Sequence, residues 1–127
     1  MGKSVVIIED DADLAEIMRT ALETKGVLVH TASDGPTGLE MVRKKRPDAV
    51  ILDIVLPKMN GYEVCTAIQQ DSRLSHTPIT VITGVTESSG SVSDELWRKR
   101  LDVADFVSKP FDAVELAERL AKSLGTS

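Results

Sequence analysis

Five short apolar runs recur along the chain, separated by segments with a different hydrophobic period. The runs are four or five residues long and rich in β-branched side chains, which is typical of strands buried on both faces of a parallel sheet. They are Val5–Ile8, Val27–Thr31, Ala49–Asp53, Ile79–Thr83 and Ala104–Ser108. The pattern therefore predicts five strands.

Between these runs, hydrophobic residues recur at intervals of three and four, which predicts amphipathic helices. In the first and clearest helix, Asp11 or Asp13 is the candidate amino-terminal cap and Gly26 the carboxyl-terminal stop. Its apolar stripe comprises Leu14, Ile17, Met18, Ala21 and Leu22. Further helices are predicted from Pro36 to Arg46, after Gly61, around Asp94 to Leu101, and from Asp112 to Gly125. Five strands alternating with five helices predict an α/β fold, a doubly wound parallel sheet in a three-layer sandwich.

Size and charge narrow the classes of function. The 127 residues are 42% hydrophobic and 28% charged, which is the composition of one globular domain, here residues 1–127. The net charge is −5 and no long basic block occurs, so we expect no direct contact with nucleic acid. The basic cluster Arg43–Arg46 is interpreted as cations that stabilise the carboxyl end of a helix.

The chain also shows no sign of a membrane or secretory destination. Its first residues lack the apolar stretch of a signal peptide, and no run reaches the roughly 18 apolar residues of a membrane span. Cys65 is the single cysteine, so it cannot form an internal disulfide, and we interpret it as a packing residue. These features predict a cytoplasmic protein without membrane attachment.

Polar residues follow four of the predicted strands, and this is the chemically informative part of the pattern. Glu9 and Asp10 follow the first strand, Asp53 ends the third, Thr83 ends the fourth and Lys109 follows the fifth. In a parallel sheet the carboxyl ends of the strands lie on one edge, where open α/β folds hold their sites. We therefore expect these five side chains to meet in one pocket.

Such a pocket would suit the transfer of a phosphoryl group. Three close carboxylates repel one another unless a cation lies among them, and ligands that are all oxygen favour a hard ion such as Mg²⁺. Lys109 would add a positive charge and Thr83 a hydroxyl donor, which are the groups that phosphoryl transfer requires. Asp53 is then the candidate nucleophile and phosphate acceptor.

Together, these strand-end motifs resemble the receiver domain of two-component response regulators. The matching motifs are Glu9-Asp10, Leu52-Asp53, Leu56-Pro57 with Asn60-Gly61, Val81-Ile82-Thr83 and Lys109-Pro110-Phe111. The resemblance covers essentially the whole chain. It implies a flavodoxin-like sheet in the order 2-1-3-4-5, which is the strand order of chemotaxis regulators of this type. It also implies a cis bond between Lys109 and Pro110.

The resemblance further implies that Asp53 takes its phosphoryl group from a phosphohistidine of a sensor histidine kinase or phosphotransfer protein. By the same likeness, Asp10, Asp53 and the backbone carbonyl of Val55 bind Mg²⁺ directly, and Glu9 binds it through water. The apolar Val55 side chain cannot hold an attacking water, so we expect a phosphorylated state that is not especially short-lived. Any catalytic activity would be limited to self-phosphorylation and autodephosphorylation.

Two residues match the switch pair of these receivers, Thr83 and Phe106. The threonine moves toward the phosphate and the aromatic ring turns into the vacated space, which alters the surface formed by the fourth helix, fifth strand and fifth helix. An output protein or a fused domain would read that surface, and homodimerisation through it stays open. Asp102 replaces the glycine usual after the fourth helix, so the end of that helix is expected to be irregular.

Three other functions compete with this interpretation. Aspartyl-phosphate hydrolases place a second carboxylate, as general acid, two residues after the nucleophile, but this chain has Val55 there. Flavin or nucleotide binders carry a glycine-rich loop after the first strand, and Glu9-Asp10-Asp11 occupies that place instead. The remaining alternative is a receiver-like module that binds partners without being phosphorylated.

Overall fold

A single parallel sheet forms the centre of the molecule in the computed structural model, which describes residues 2–84 and 103–125. Its strands are β1 (Ser4–Ile8), β2 (Leu28–Ala32), β3 (Ala49–Asp53), β4 (Ile79–Gly84) and β5 (Asp105–Lys109). They lie in the order β2-β1-β3-β4-β5, and all four strand pairs are parallel. The predicted fold class and strand order are confirmed.

The described part of the chain contains four helices, of which the first three connect strands and the last follows β5. They are α1 (Ala12–Glu23), α2 (Gly35–Lys45), α3 (Gly61–Gln70) and α4 (Ala113–Ser123), and α4 is the last of the five helices predicted from the sequence. The predicted helix around Asp94 to Leu101, and Asp102 after it, lie outside the described residues. In residues 2–84 and 103–125, no helix has the length and apolar content needed to cross a membrane.

The core is divided by the sheet into two apolar layers, because successive side chains of a strand point to opposite faces. Ile8 packs in the layer under α2 and α3, while its neighbour Ile7 packs in the layer under α1 and α4. β1 and β3 lie in the middle of the sheet, and every residue of β3 is buried. The predicted three-layer arrangement therefore follows from central strands that are apolar on both faces.

Each helix begins at a side chain that caps it. Asp11, rather than Asp13, caps α1, and Asp34 and Asp112 cap α2 and α4 in the same way. Asn60 begins α3 with a capping box, in which its side chain accepts from Glu63 N–H while the Glu63 side chain accepts from Asn60 N–H. These caps satisfy backbone donors that would otherwise lack partners at the helix start.

One residue of the predicted apolar stripe of α1 is not in the core. Ile17 is 48% exposed, although Met18 and Leu22 on the same helix are fully buried. The stripe is wider than the surface that the sheet covers, so Ile17 lies at the margin between α1 and α4, beside Val114. Ile17 thus belongs to the apolar stripe of α1 without packing in the core.

Candidate functional site

Three carboxylates meet at the carboxyl edge of the sheet. One oxygen each from Glu9, Asp10 and Asp53 lies within 4.8 Å of the others. They converge because β1 and β3 are neighbours in register, with Ile8 opposite Leu52, so that the residues after Ile8 and Leu52 leave the sheet side by side. Glu9 and Asp53 are each only 2% exposed, whereas Asp10 is exposed to solvent.

Lys109 reaches this cluster from the far edge of the sheet. Its Nζ lies 3.2 Å from Asp53 Oδ2 and 3.3 Å from Glu9 Oε1, and the side chain remains 29% exposed. Burial alone would lower the pKa of the Lys109 ammonium, but the charges of Asp53 and Glu9 outweigh burial and raise it. The bond from Lys109 to Pro110 is cis, as the resemblance implied.

Glu9 is the least compensated charge of the group. Burial raises the pKa of Glu9 to about 7, with further contributions from a hydrogen bond with Asp53 and from the negative charge of Asp53. The backbone N–H of Asp11 and the ammonium of Lys109 act in the opposite direction and lower this pKa, but their effect is smaller. The Asp11 N–H donates to Glu9 Oε2 at 3.0 Å. Glu9 Oε1 is buried without a hydrogen-bond partner, although Lys109 Nζ lies 3.3 Å from it.

The donor set fits a small divalent cation. The cluster offers carboxylate oxygens without nitrogen or sulfur ligands, which is the preference of Mg²⁺. A buried carboxylate oxygen that receives no hydrogen bond is costly, and one lysine is insufficient for three carboxylates. A cation between Glu9, Asp10 and Asp53 would offset both costs and return the pKa of Glu9 toward its ordinary value.

The loop after β3 is held tightly against the acceptor. Val55 N–H donates to Asp53 Oδ1 at 3.1 Å, and Gly61 N–H donates to Ile54 O at 2.7 Å. A side chain at Gly61 would collide with the backbone of Asp53 and Ile54, so only glycine allows α3 to begin this close to the strand. The Val55 side chain is 67% exposed beside the site.

Thr83 and Phe106 lie on one face of the sheet near the acceptor. In the register, Asp53 pairs with Ile82, so Thr83 is the next residue along β4, and it is 4% exposed. Phe106 pairs with Val81, two residues before Thr83, and packs against the layer under α2 and α3. Since residues two apart share a face, both proposed switch residues point to the same side.

Sequence reasoning missed how α2 supports the acceptor loop. Lys58 has a positive φ of 70°, and its Nζ lies 3.9 Å from Asp34 Oδ2, the carboxylate group that also caps α2. Gly35 N–H donates to Pro57 O at 3.4 Å, which ties the start of α2 to the same loop. The turn-rich composition of residues 56–61 was visible in the sequence, but no periodic signal connects this loop with α2.

Comparisons with known proteins agree with this geometry. The family model described as the response regulator receiver domain matches residues 5–121. A relative named "Probable transcriptional regulator ycf27", from Guillardia theta, is 39% identical over 118 residues, which is 93% of this chain and 44% of that protein. "DNA-binding response regulator MtrA" of Mycolicibacterium paratuberculosis is 34% identical over 124 residues, 98% of this chain and 52% of that protein. The chain thus spans about half the length of the curated relatives it matches.

Solved structures show the same likeness. The chemotaxis response regulator CheY4 of Vibrio cholerae superposes with a TM-score of 0.82 at 25% identity, covering 96% of this chain and 98% of that one. Receiver domains are phosphoacceptor signalling domains and are generally not true enzymes. They bind Mg²⁺ at an acidic pocket and interact with histidine kinases or phosphotransfer proteins. From its strand order, its acidic pocket and its match over residues 5–121, this chain belongs to the response regulator receiver domains of two-component signalling.

Proposed function

We propose that Asp53 accepts a phosphoryl group from a phosphohistidine of a sensor histidine kinase or phosphotransfer protein, with Mg²⁺ bound beside it. The observation that carries this proposal is the burial of Asp53 within 3.2 Å of the Lys109 ammonium, in a cluster with Glu9 and Asp10. We assign residues 1–127 as one receiver domain that carries the reaction.

The transfer would be an in-line displacement at phosphorus. A carboxylate oxygen of Asp53 forms a bond to phosphorus as the bond from phosphorus to the histidine nitrogen breaks, which leaves an acyl phosphate and a free imidazole. Lys109 neutralises the added negative charge from a position already fixed at the edge of the pocket. The backbone N–H of Val55 holds the other side of the carboxylate in place.

Bound at this cluster, Mg²⁺ would supply positive charge that offsets the charge of the phosphoryl oxygens. Asp10 and Asp53 are the proposed direct ligands, with the backbone carbonyl of Val55, and Glu9 acts through a water molecule. Asp10 suits the direct role because it is exposed and can turn toward an incoming ion. Glu9 is fixed by the Asp11 N–H, so it supplies charge without moving.

Phosphorylation would be read through Thr83 and Phe106. The Thr83 hydroxyl donates a hydrogen bond to a phosphoryl oxygen, and the half-buried ring of Phe106 moves inward on the same face of the sheet. This changes the surface around β5, which a separate output protein or a fused domain then binds. The names of the longer relatives suggest an output that acts on DNA.

The direct test is phosphorylation with a small acyl phosphate, such as acetyl phosphate, in Mg²⁺ followed by intact-mass measurement. The expected result is one added phosphoryl group on the wild-type protein, and none when Mg²⁺ is removed by chelation. Asp53→Asn should abolish the addition. Asp13→Asn, which removes an exposed carboxylate from the first turn of α1, should leave it unchanged.

Three results would overturn the proposal. If the wild-type protein never gains mass, the chain is a receiver-like module that works without phosphorylation. If the addition persists in Asp53→Asn, another residue is the acceptor. Steady release of inorganic phosphate without a phosphorylated intermediate would instead indicate a hydrolase.

A further inference from the structure

We propose that the groove along α2, which Met59 and Arg73 also line, binds an acidic segment of a partner protein. The groove has a volume of about 620 Å³ and lies away from the carboxylate pocket, on the outer side of α2. Its rim carries three cations from two separate parts of the chain, and its floor is partly apolar. The lining residues that matter are Pro36, Leu39, Arg43, Lys44, Met59 and Arg73.

The position of Arg73 indicates that the positive charge in the groove is more than the usual cations at a helix end. Arg43 and Lys44 lie in the last turn of α2, where cations interact favourably with the helix dipole whatever else they do. That explanation cannot apply to Arg73, which follows α3 and still faces the same groove. Two segments therefore converge to present positive charge on a chain whose net charge is −5.

Asp71 orients Arg73 through hydrogen bonds and lies near Arg43, without hiding either arginine. Its Oδ2 lies 3.1 Å from Arg73 Nη2 and 3.9 Å from Arg43 Nε, and hydrogen bonds from Arg73 lower the pKa of its carboxyl group. The arginine side chains nevertheless remain 48% and 54% exposed. Both guanidinium groups can therefore bind further carboxylates while Asp71 reduces the entropy they lose on doing so.

The groove favours a protein segment over nucleic acid. Pro36 is exposed and Met59 is half-buried, so these two residues offer an apolar surface beside the cations, which suits a segment that combines carboxylates with an apolar side chain. A phosphate backbone carries regularly spaced negative charge and no such apolar group, so it would leave this apolar surface uncovered.

The test uses a fluorescein-labelled peptide of glutamate residues around a central leucine pair, followed by fluorescence polarisation with the full chain. Arg43→Glu with Arg73→Glu should weaken binding by about tenfold or more, since attraction becomes repulsion. The control variant, Lys3→Glu with Lys122→Glu, changes the net charge by the same amount at exposed sites outside the groove. It should weaken peptide binding by less than about threefold. The milder variant Lys44→Glu alone should weaken binding severalfold and avoids disturbing Asp71.

Chemical-shift mapping supports the proposal if the peptide perturbs amides of α2 and the residues after α3. Equal weakening by both double variants would overturn it, because binding would then follow net charge alone. Tighter binding of a double-stranded oligonucleotide, lost in the Arg43 and Arg73 variant, would overturn it in favour of a nucleic-acid surface. Circular dichroism of each variant confirms that the helices are retained.

Discussion

The carboxylate pocket and the basic groove use the same kinds of charged side chain in opposite environments. In the pocket, Glu9 and Asp53 are almost fully buried, so each charge interacts strongly with its neighbours and with Lys109. In the groove, Arg43 and Arg73 are about half exposed, so water and salt weaken every interaction they make. A buried charge is costly unless it is compensated, whereas an exposed charge costs little and is available to a partner.

This contrast explains why a carboxyl pKa is raised in the pocket and lowered in the groove. Burial keeps water away from Glu9, and burial together with the hydrogen bond and charge of Asp53 raises the pKa of Glu9 to about 7. Asp71 faces the opposite situation, because hydrogen bonds from Arg73 lower its pKa while it lies near the surface. Changes at the pocket should therefore alter stability, and changes at the groove should alter binding.

The largest expected effect comes from Lys109→Met. This change leaves two buried carboxylates without their ammonium and should lower the free energy of unfolding by about 3 kcal/mol at pH 8 without Mg²⁺. The loss should shrink at pH 5, where Glu9 is protonated. Urea unfolding at both pH values measures it.

Lys44→Met is the matched control for that experiment. It removes an exposed ammonium of the groove by the same chemical change, and we expect the free energy of unfolding to fall by less than about 0.5 kcal/mol. Equal losses at Lys44 and Lys109 would contradict the contrast between the two regions.

A smaller effect should appear in the pH dependence of stability. The folded-state pKa of Glu9 is raised to about 7, above its ordinary value of 4.5, so between these values the folded chain holds a proton that the unfolded chain has released. The contribution of Glu9 to the free energy of unfolding is therefore fully present below pH 4.5 and is lost as the pH rises toward 7. Metal-free protein should become less stable from pH 5 to pH 8, and Mg²⁺ should reduce that loss.

Glu9→Gln tests this assignment, because the amide cannot ionise. The variant should be more stable than wild type at pH 8 by on the order of 2 kcal/mol, with little difference at pH 5. Thermal unfolding in a chelating buffer supplies the comparison. A variant whose stability falls with pH as steeply as wild type would show that another group titrates.

The smallest predicted effect is at the carboxyl end of α2. Arg46 adopts the left-handed conformation with φ 44°, which glycine adopts without steric cost. Arg46→Gly should stabilise the protein by about 0.5 kcal/mol, while Lys45→Gly, one residue earlier inside the helix, should destabilise it by about 1 kcal/mol. Denaturant unfolding compares the two, and a loss of stability in Arg46→Gly would contradict the assignment.

Much of the architecture was predictable because it depends on local patterns. Uninterrupted β-branched runs specified the central strands, and the predicted bounds of β3 match the observed Ala49–Asp53. The predicted meeting of Glu9, Asp10, Asp53 and Lys109 is also observed, since parallel strands end at a common edge. The exposure of Ile17 was not predictable, because helical periodicity gives a direction but not the width of the surface that covers the apolar stripe.

The sequence by itself determined the order of elements, the polar strand ends and the family likeness, because hydrophobic period and motif spacing are properties of neighbouring residues. Only the tertiary structure decided which charges are buried and which are exposed. The pKa of Glu9 depends on Asp53, which is distant along the chain, and Arg73 joins Arg43 only when α2 and α3 pack together. Electrostatic energies depend on distance and solvation in three dimensions, and neither quantity is encoded in local sequence.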